Sequence, residues 1–334
     1  MTRQLHLLLL TMLPLLTQAE TTTHRLKIGV LAFGTVNWEL AAIRNEGLDR
    51  KYVLELEVQT LASPEAGKIG LQAGGLEMIV TDWIWVANQR QAGSDFGFIP
   101  YSTHAGALMV PAASNIRSIA DLPGKKLGIV GGGLDKNWIL LRALALKQHR
   151  IDLDKTVEKS FGAAPLLNQQ MMQGKLDALL DYWHYAAKLE AQGYRRLLDG
   201  RQVLKGLEIA EPMANLGYVF RKSWASDHAS NLEAFLKASG EARNLLCSAD
   251  GAWQRVIPLT QEKDEKIQLA LRREYCDGVV KHWGEPEKRA AARIYEILRQ
   301  TGGEQLTGKA EKLPEDIFWP YQVVVDNRRQ KGAS

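Results

Sequence analysis

From residue 26 the chain alternates short apolar runs with amphipathic stretches, and beyond residue 105 the same alternation begins again. In the first series the pattern predicts strands at 26–32, 54–60, 78–81 and 96–100, with helices at 37–46, 64–73 and 82–90 between them. Apolar runs of about 4–8 residues separated by helical periodicity are the mark of βαβ units. Such units build a mostly parallel sheet covered by helices on both faces. The second series opens with an apolar run at 107–111 and the turn-rich Asp121-Leu122-Pro123-Gly124. Strands follow at 126–130, 157–160, 178–180 and 195–198, with helices at 135–148, 165–173 and 184–192. A strand at 217–221 returns the chain to the first series. From Trp224 the pattern is helical, punctuated by Gly251, Pro258, Gly284 and Gly302.

Two α/β series joined by two crossings define two lobes, 26–105 together with 216–334, and 106–215 inserted between them. A pair of lobes on two crossings forms a hinge, and ligands bind in the cleft between such lobes. In open parallel sheets the cleft is lined by loops at the carboxyl ends of the strands. That rule selects five stretches, 33–39, 81–85, 100–104, 131–137 and 180–185. The candidate ligand contacts within them are Thr35, Asn37, Trp38 and Glu39; Asp82 and Trp83; Ser102, Thr103 and His104; Gly132, Asp135 and Lys136; and Asp181, Tyr182 and Trp183.

The N-terminus has the grammar of a secretory signal over residues 1–19. Arg3 gives a positive start, residues 5–16 form an apolar core, and Thr17 and Ala19 are small residues placed for cleavage. The apolar run is too short to span a bilayer, and no cysteine follows the cleavage position to carry a lipid. The expected mature protein is periplasmic and begins near Glu20. Without Arg3 the chain has 41 basic and 38 acidic residues, mixed along its length, so nucleic acid is not an expected partner. Only Cys247 and Cys276 are present. An oxidising compartment permits a disulfide between them; two free buried thiols are the alternative, because sequence does not supply the Cα separation a bridge requires.

Enzyme signatures are missing. There is no Gly-x-Ser-x-Gly elbow, GxGxxG fingerprint or Walker lysine, and the histidines are scattered without metal-ligand spacing. Neither a catalytic set, a metal nor a cofactor is expected.

Several segments carry a family resemblance over roughly residues 26–240. Gly106-Ala107-Leu108-Met109-Val110-Pro111 and Ile116-Arg117-Ser118-Ile119-Ala120-Asp121-Leu122-Pro123-Gly124-Lys125-Lys126-Leu127-Gly128 resemble a hinge strand and the start of a second lobe. Leu71-Gln72-Ala73-Gly74, Met172-Gln173-Gly174-Lys175-Leu176-Asp177-Ala178 and Tyr182-Trp183-His184-Tyr185 stand in the matching order. Together they resemble the periplasmic binding proteins of nitrate, sulfonate and taurine importers, a superfamily that includes riboflavin-type and thiamine-pyrimidine precursor binders. The resemblance implies a two-lobed type II periplasmic-binding-protein fold, a small-molecule ligand, an ABC permease with its ATPase as partner, and a monomeric carrier. Two stretches depart from it. Tyr182-Trp183-His184 replaces a tryptophan–glutamate–proline triplet, and Gly131-Gly132-Gly133-Leu134-Asp135-Lys136 replaces small polar residues. Both fall in the expected cleft, so ligand identity does not carry over.

The loops themselves suggest a ligand class. Glu39, Asp82, Asp135 and Asp181 lie at strand-to-helix corners among Trp38, Trp83, Tyr182, Trp183 and Tyr185. Carboxylates beside aromatic faces suit an organic cation or a nitrogen heterocycle. A sulfonate or nitrate site should instead present Arg, Lys and hydroxyls; Lys136, Ser102, Thr103 and His104 supply some, but these loops contain no Arg. Gly131–Gly133 before a helix could bring backbone N–H groups to a ligand, or simply form a turn capped by Asp135. Asp82 also reads as a helix cap, Trp85 and Trp138 as core, and His104 as a structural histidine, while Trp38, Trp83 and Trp183 are open between cleft and core. Two rivals remain. One is an enzyme like the fungal pyrimidine synthases, which are cytosolic and carry a Cys-rich motif not seen here. The other is a ligand-sensing module that serves a signalling partner.

Overall fold

The computed structural model describes residues 23–320. The expected signal segment at 1–19 therefore lies outside the described residues. In chain order the first part contains β1 (His24–Leu31), α1 (Val36–Asn45), α2 (Leu48–Lys51), β2 (Leu54–Leu61), α3 (Pro64–Gln72), β3 (Met78–Thr81), α4 (Trp83–Gln91) and β4 (Phe96–Ser102). After a crossing come β5 (Ala107–Val110), β6 (Lys126–Val130), α5 (Lys136–His149), α6 (Leu153–Thr156), β7 (Glu158–Gly162), α7 (Ala164–Met172), β8 (Ala178–Asp181), α8 (Trp183–Ala191), β9 (Arg195–Asp199) and α9 (Gly200–Gly206). The chain returns as β10 (Leu216–Arg221) and finishes in α10 (Lys222–Asp227), α11 (Ala229–Ser248), α12 (Asp250–Thr260), α13 (Glu265–Asp277), α14 (Glu285–Gly302) and α15 (Glu304–Thr307).

The strands form two five-stranded sheets, β2-β1-β3-β10-β4 and β7-β6-β8-β5-β9. β1 runs parallel to β2 and β3, and β6 parallel to β7 and β8. Each sheet also holds one antiparallel strand, β10 in the first and β5 in the second. The sequence pattern predicts mostly parallel sheets, and the exception has a geometric cause. A chain that crosses from one sheet enters the other at the edge facing the gap, so its next strand must run away from the gap, against its neighbours. β5 and β10 are the two strands that follow a crossing.

The helix starts are set by local chemistry. Ser63 caps α3, accepting from the Ala66 N–H at 3.2 Å with Pro64 at the first helical position. Asp82 caps α4, and Asp135 caps α5. α5 is apolar around most of its circumference, with Trp138, Ile139, Leu140, Leu141 and Leu144 buried, because it is covered on one side by its own sheet and on another by α14. Cys247 on α11 and Cys276 on α13 are joined, with S–S at 2.09 Å and Cα–Cα at 5.6 Å.

Candidate functional site

The carboxyl ends of β1, β3 and β4 point toward the second sheet, and those of β6, β7, β8 and β9 point back. The chain crosses this gap at 103–106, between β4 and β5, and again at 207–215, between α9 and β10. Gly106 must lack a side chain in the first crossing, because a methyl there would run into the Asp181 carbonyl oxygen.

Asp82 and Lys136 meet across the gap, Nζ to Oδ2 at 3.6 Å. Each begins or caps a helix of a different sheet. Asp82 Oδ1 accepts from the Trp85 N–H at 3.0 Å, so one oxygen serves the helix and the other faces the gap. Burial pushes the Asp82 carboxyl up, but Lys136, the Trp85 N–H and Lys68 outweigh it and hold the pKa below the usual carboxylate value. Asp135 is arranged differently. Its Oδ1 accepts from the N–H groups of Asn137 at 2.8 Å and Trp138 at 3.3 Å. Its Oδ2 is tucked under Gly131, 2.7 Å from where a Cβ would sit. Burial raises its pKa despite Lys136 and the two N–H groups. Gly131 and Gly132 both have φ of +91°, a region that excludes ordinary side chains, so the glycine run is a turn in its own right. Nothing crowds Gly132 within 4 Å, which leaves its backbone approachable.

Tyr182 completes this cluster. Burial raises the phenol pKa, and the negative charges of Asp135, Asp181, Glu65 and Asp82, from both lobes, raise it further. Asp181 itself is interior, 1% exposed. Its carboxylate accepts from Asn168 Nδ2 at 2.7 Å and the Tyr182 N–H at 2.8 Å. Burial nevertheless drives its pKa up to about 7.

The other predicted residues divide plainly. Glu39 is fully buried and accepts from the hydroxyls of Tyr218 and Ser239, with Arg243 Nε at 3.5 Å, so it braces the first lobe and does not reach the gap. Trp83 is core, its Nε1–H donating to the Ala214 carbonyl in the second crossing at 3.1 Å. Trp38 is core too, edge-on to Trp253 at 5.5 Å. It also meets Trp183 of the second lobe at 6.1 Å. Trp183 is half-buried and stacks on His104 at 4.9 Å. His104 is held by the Glu274 carbonyl, and burial lowers its pKa. Thr103 donates to the Gly278 carbonyl, Ser102 accepts from the His104 N–H, and Asn37 donates to the carbonyls of Leu31 and Gly34. These three shape loops. Thr35 is half-buried at the start of α1.

Two groups escaped the sequence reading. Lys68 and Glu65, on α3, stand within electrostatic reach of Asp82 and Tyr182. Applying the strand-end rule to β2 would have found them. A polar cavity of about 150 Å³ also lies beside the first crossing, lined by His104, Trp183, Arg196, Arg201, Glu274 and Asp277 among others. Its α13 residues are far away in sequence from the loops they meet, and no local signal marks them. Among the described residues no group of His, Cys, Asp and Glu is placed to hold a metal ion, and no helix is long and apolar enough to cross a membrane.

Two mixed sheets facing each other across a gap spanned twice by the chain are the two-lobed periplasmic-binding-protein fold. Residues 74–248 match the family model described as NMT1/THI5 like, and the chain belongs to that family. Its fold is similar to the periplasmic aliphatic sulphonate binding protein SsuA from Escherichia coli, with a TM-score of 0.71 at 18% identity over 91% of this chain and 95% of that one. The alkanesulfonate-binding SsuA from Xanthomonas axonopodis pv. citri, bound to MOPS, gives 0.68 at 16% identity, covering 89% and 98%. The periplasmic nitrate-binding protein NrtA from Synechocystis PCC 6803 gives 0.55 at 14%, covering 73% and 69%. At these identities the likeness is one of fold. No curated protein matches the sequence.

Proposed function

We propose that this protein is an exported solute-binding protein that captures a small molecule between its lobes and delivers it to an ABC-type importer. The gap carries the reading: strand ends and helix starts of two sheets face each other there, linked by two crossings that can act as a hinge. Family membership and a fold shared with sulfonate- and nitrate-binding proteins support the transport role. Periplasmic location after cleavage near Ala19, action as a monomer, and partnership with a permease and its ATPase belong to the same proposal.

The ligand we propose is an organic cation or a nitrogen heterocycle. Asp82 offers a carboxylate oxygen to the gap, Lys136 and Lys68 supply the opposing charge, and Tyr182 lies within electrostatic reach of Asp82, Asp135 and Glu65. A flat ring bearing donor nitrogens would replace Lys136 at Asp82 and lie against Tyr182. The Asp82 carboxylate directed into the gap disfavours a sulfonate or nitrate there.

A thermal-shift screen of the mature protein tests both parts, because a ligand that binds only the folded form raises its melting point. Amines and thiamine or flavin precursors should raise it. Stabilisation by sulfonates or nitrate alone would overturn the ligand class. Conversion of a stabilising compound on incubation would point to the enzyme reading, and uptake that persists in cells lacking the protein would point to a sensor.

A further inference from the structure

α13 is gripped by both lobes through polar side chains, whereas α14 bridges them chiefly by packing on α5. Ile267, Leu271 and Tyr275 of α13 repeat every four residues and are buried in the first lobe's core, where Tyr275 packs on Trp38 at 5.8 Å. Arg272 Nε donates to the Leu246 carbonyl of α11 at 2.9 Å, and Cys276 is bonded to Cys247 of the same helix. The adjoining face belongs to the second lobe. Glu274 Oε2 lies 3.4 Å from Arg196 Nη1 of β9, and the Asp277 carbonyl accepts from Arg201 Nη2 of α9 at 2.9 Å. Just before α13, Glu262 pairs with Lys188 of α8 at 2.7 Å, and the Thr260 carbonyl accepts from the same ammonium at 3.1 Å. α13 also holds the hinge. The Gly278 carbonyl accepts from the Thr103 N–H at 2.9 Å, and the Glu274 carbonyl meets the His104 ring.

We propose that α13 is a strap governing how readily the lobes part, and that the Cys247–Cys276 disulfide is what fixes its last turn to the first lobe. Parting the lobes must break the Arg196–Glu274, Arg201–Asp277, Lys188–Glu262 and Asp82–Lys136 pairs, together with the Trp38–Trp183 contact and the packing of α14 on α5. Three of the four polar pairs reach into the segment 262–277. The disulfide sits between Glu274 and Asp277, one and two residues from the groups that grip the second lobe. A helix end that is free to fray presents such groups for only part of the time. A cross-linked one presents them always, and the closed arrangement gains accordingly. The cavity beside the first crossing is walled by the same residues, so it widens when the strap lets go.

The inference rests on the two-lobe carrier reading for its purpose, but its test needs no ligand, so failure to find one leaves it standing. The comparison uses the mature protein, the Cys247→Ser/Cys276→Ser double variant and Glu274→Ala, which keeps the disulfide. X-ray scattering and amide exchange at 103–106 and 207–215 are the readouts. Both variants should show a larger radius of gyration than the parent, and exchange in the crossings faster by about fivefold or more, as local opening becomes easier. Should the double variant fail to fold, Glu274→Ala paired with Glu262→Gln carries the strap test, and cleavage of the disulfide in the folded parent by a dithiol supplies the missing arm. A parental scattering profile and parental exchange in the disulfide-free protein, alongside a lowered melting point, would overturn the proposal and leave the disulfide a staple within one lobe. Opening by Glu274→Ala without opening on loss of the disulfide would likewise overturn the disulfide's part.

Discussion

Replacing Asp181 by Asn should invert the stability ranking of variant and parent between acid and alkaline pH. Asp181 is 1% exposed, and burial raises its pKa from 3.8 to about 7. A carboxyl whose folded pKa is raised binds its proton more tightly in the native state. The native state is therefore favoured below pH about 4, and the advantage is lost as pH climbs toward 7. Three pKa units at 1.36 kcal/mol each amount to about 4 kcal/mol of stability lost across that window. The amide escapes this loss but has its own cost. Asn168 Nδ2 donates to Asp181 and to the Ala164 carbonyl, and a second amide nitrogen facing it would forfeit about one hydrogen bond, or about 1 kcal/mol at every pH. Asp181→Asn should thus be about 1 kcal/mol less stable than the parent near pH 4 and about 3 kcal/mol more stable near pH 8. The parent alone would hide the effect. His184, three residues on, is pushed down to about 3 by burial, and its contribution runs oppositely, lost as pH falls from 6.5. The difference between the two proteins, from urea unfolding at each pH, cancels His184 and isolates Asp181. A difference that stays constant from pH 4 to pH 8 would refute the reasoning, because it would mean the carboxyl titrates alike folded and unfolded.

Other perturbations separate packing from binding. Asp82→Asn keeps a good helix cap and loses the Lys136 pair, so the unfolding free energy should fall by about 1 kcal/mol, while affinity for the best cationic compound from the thermal-shift screen falls about tenfold or more by calorimetry; unchanged affinity would remove Asp82 from the site. Gly106→Ala should destabilise by about 2 kcal/mol or more in chemical unfolding, since its methyl meets the Asp181 carbonyl, and a neutral result would mean the crossing is soft. Loss of the disulfide, whose cysteines are 29 residues apart, should remove about 3–4 kcal/mol by the loop-entropy estimate, measured as a lower urea midpoint.

The architecture was legible because burying parallel strands on two faces demands continuous apolar runs, and those runs restart after residue 105. The antiparallel placement of β5 and β10 was not, since strand direction depends on which edge of a sheet the chain reaches after a crossing. The same limit hid α13. Its apolar residues mark it as a helix of the first lobe, but nothing near Glu274 in sequence says that Arg196 will lie beside it.

The site was half legible, and the reason lies in what a strand-to-helix corner asks of an acidic residue. Such a corner leaves N–H groups unpaired, so a carboxylate there is equally intelligible as a cap and as a ligand contact. With Glu39 buried in the first lobe's core, the other three corner carboxylates resolve this by where the second oxygen goes. In Asp181 both oxygens are engaged, by Asn168 and by the Tyr182 N–H. In Asp135 the second oxygen turns back beneath Gly131. Only in Asp82, of the three, is it directed across the gap, toward a lysine of the opposite lobe. A cap that turns its second oxygen to the gap side is already positioned by the hydrogen bond it makes to its own helix, and a ligand that displaces Lys136 need not order it. Asp82 is therefore the carboxylate on which the ligand proposal depends.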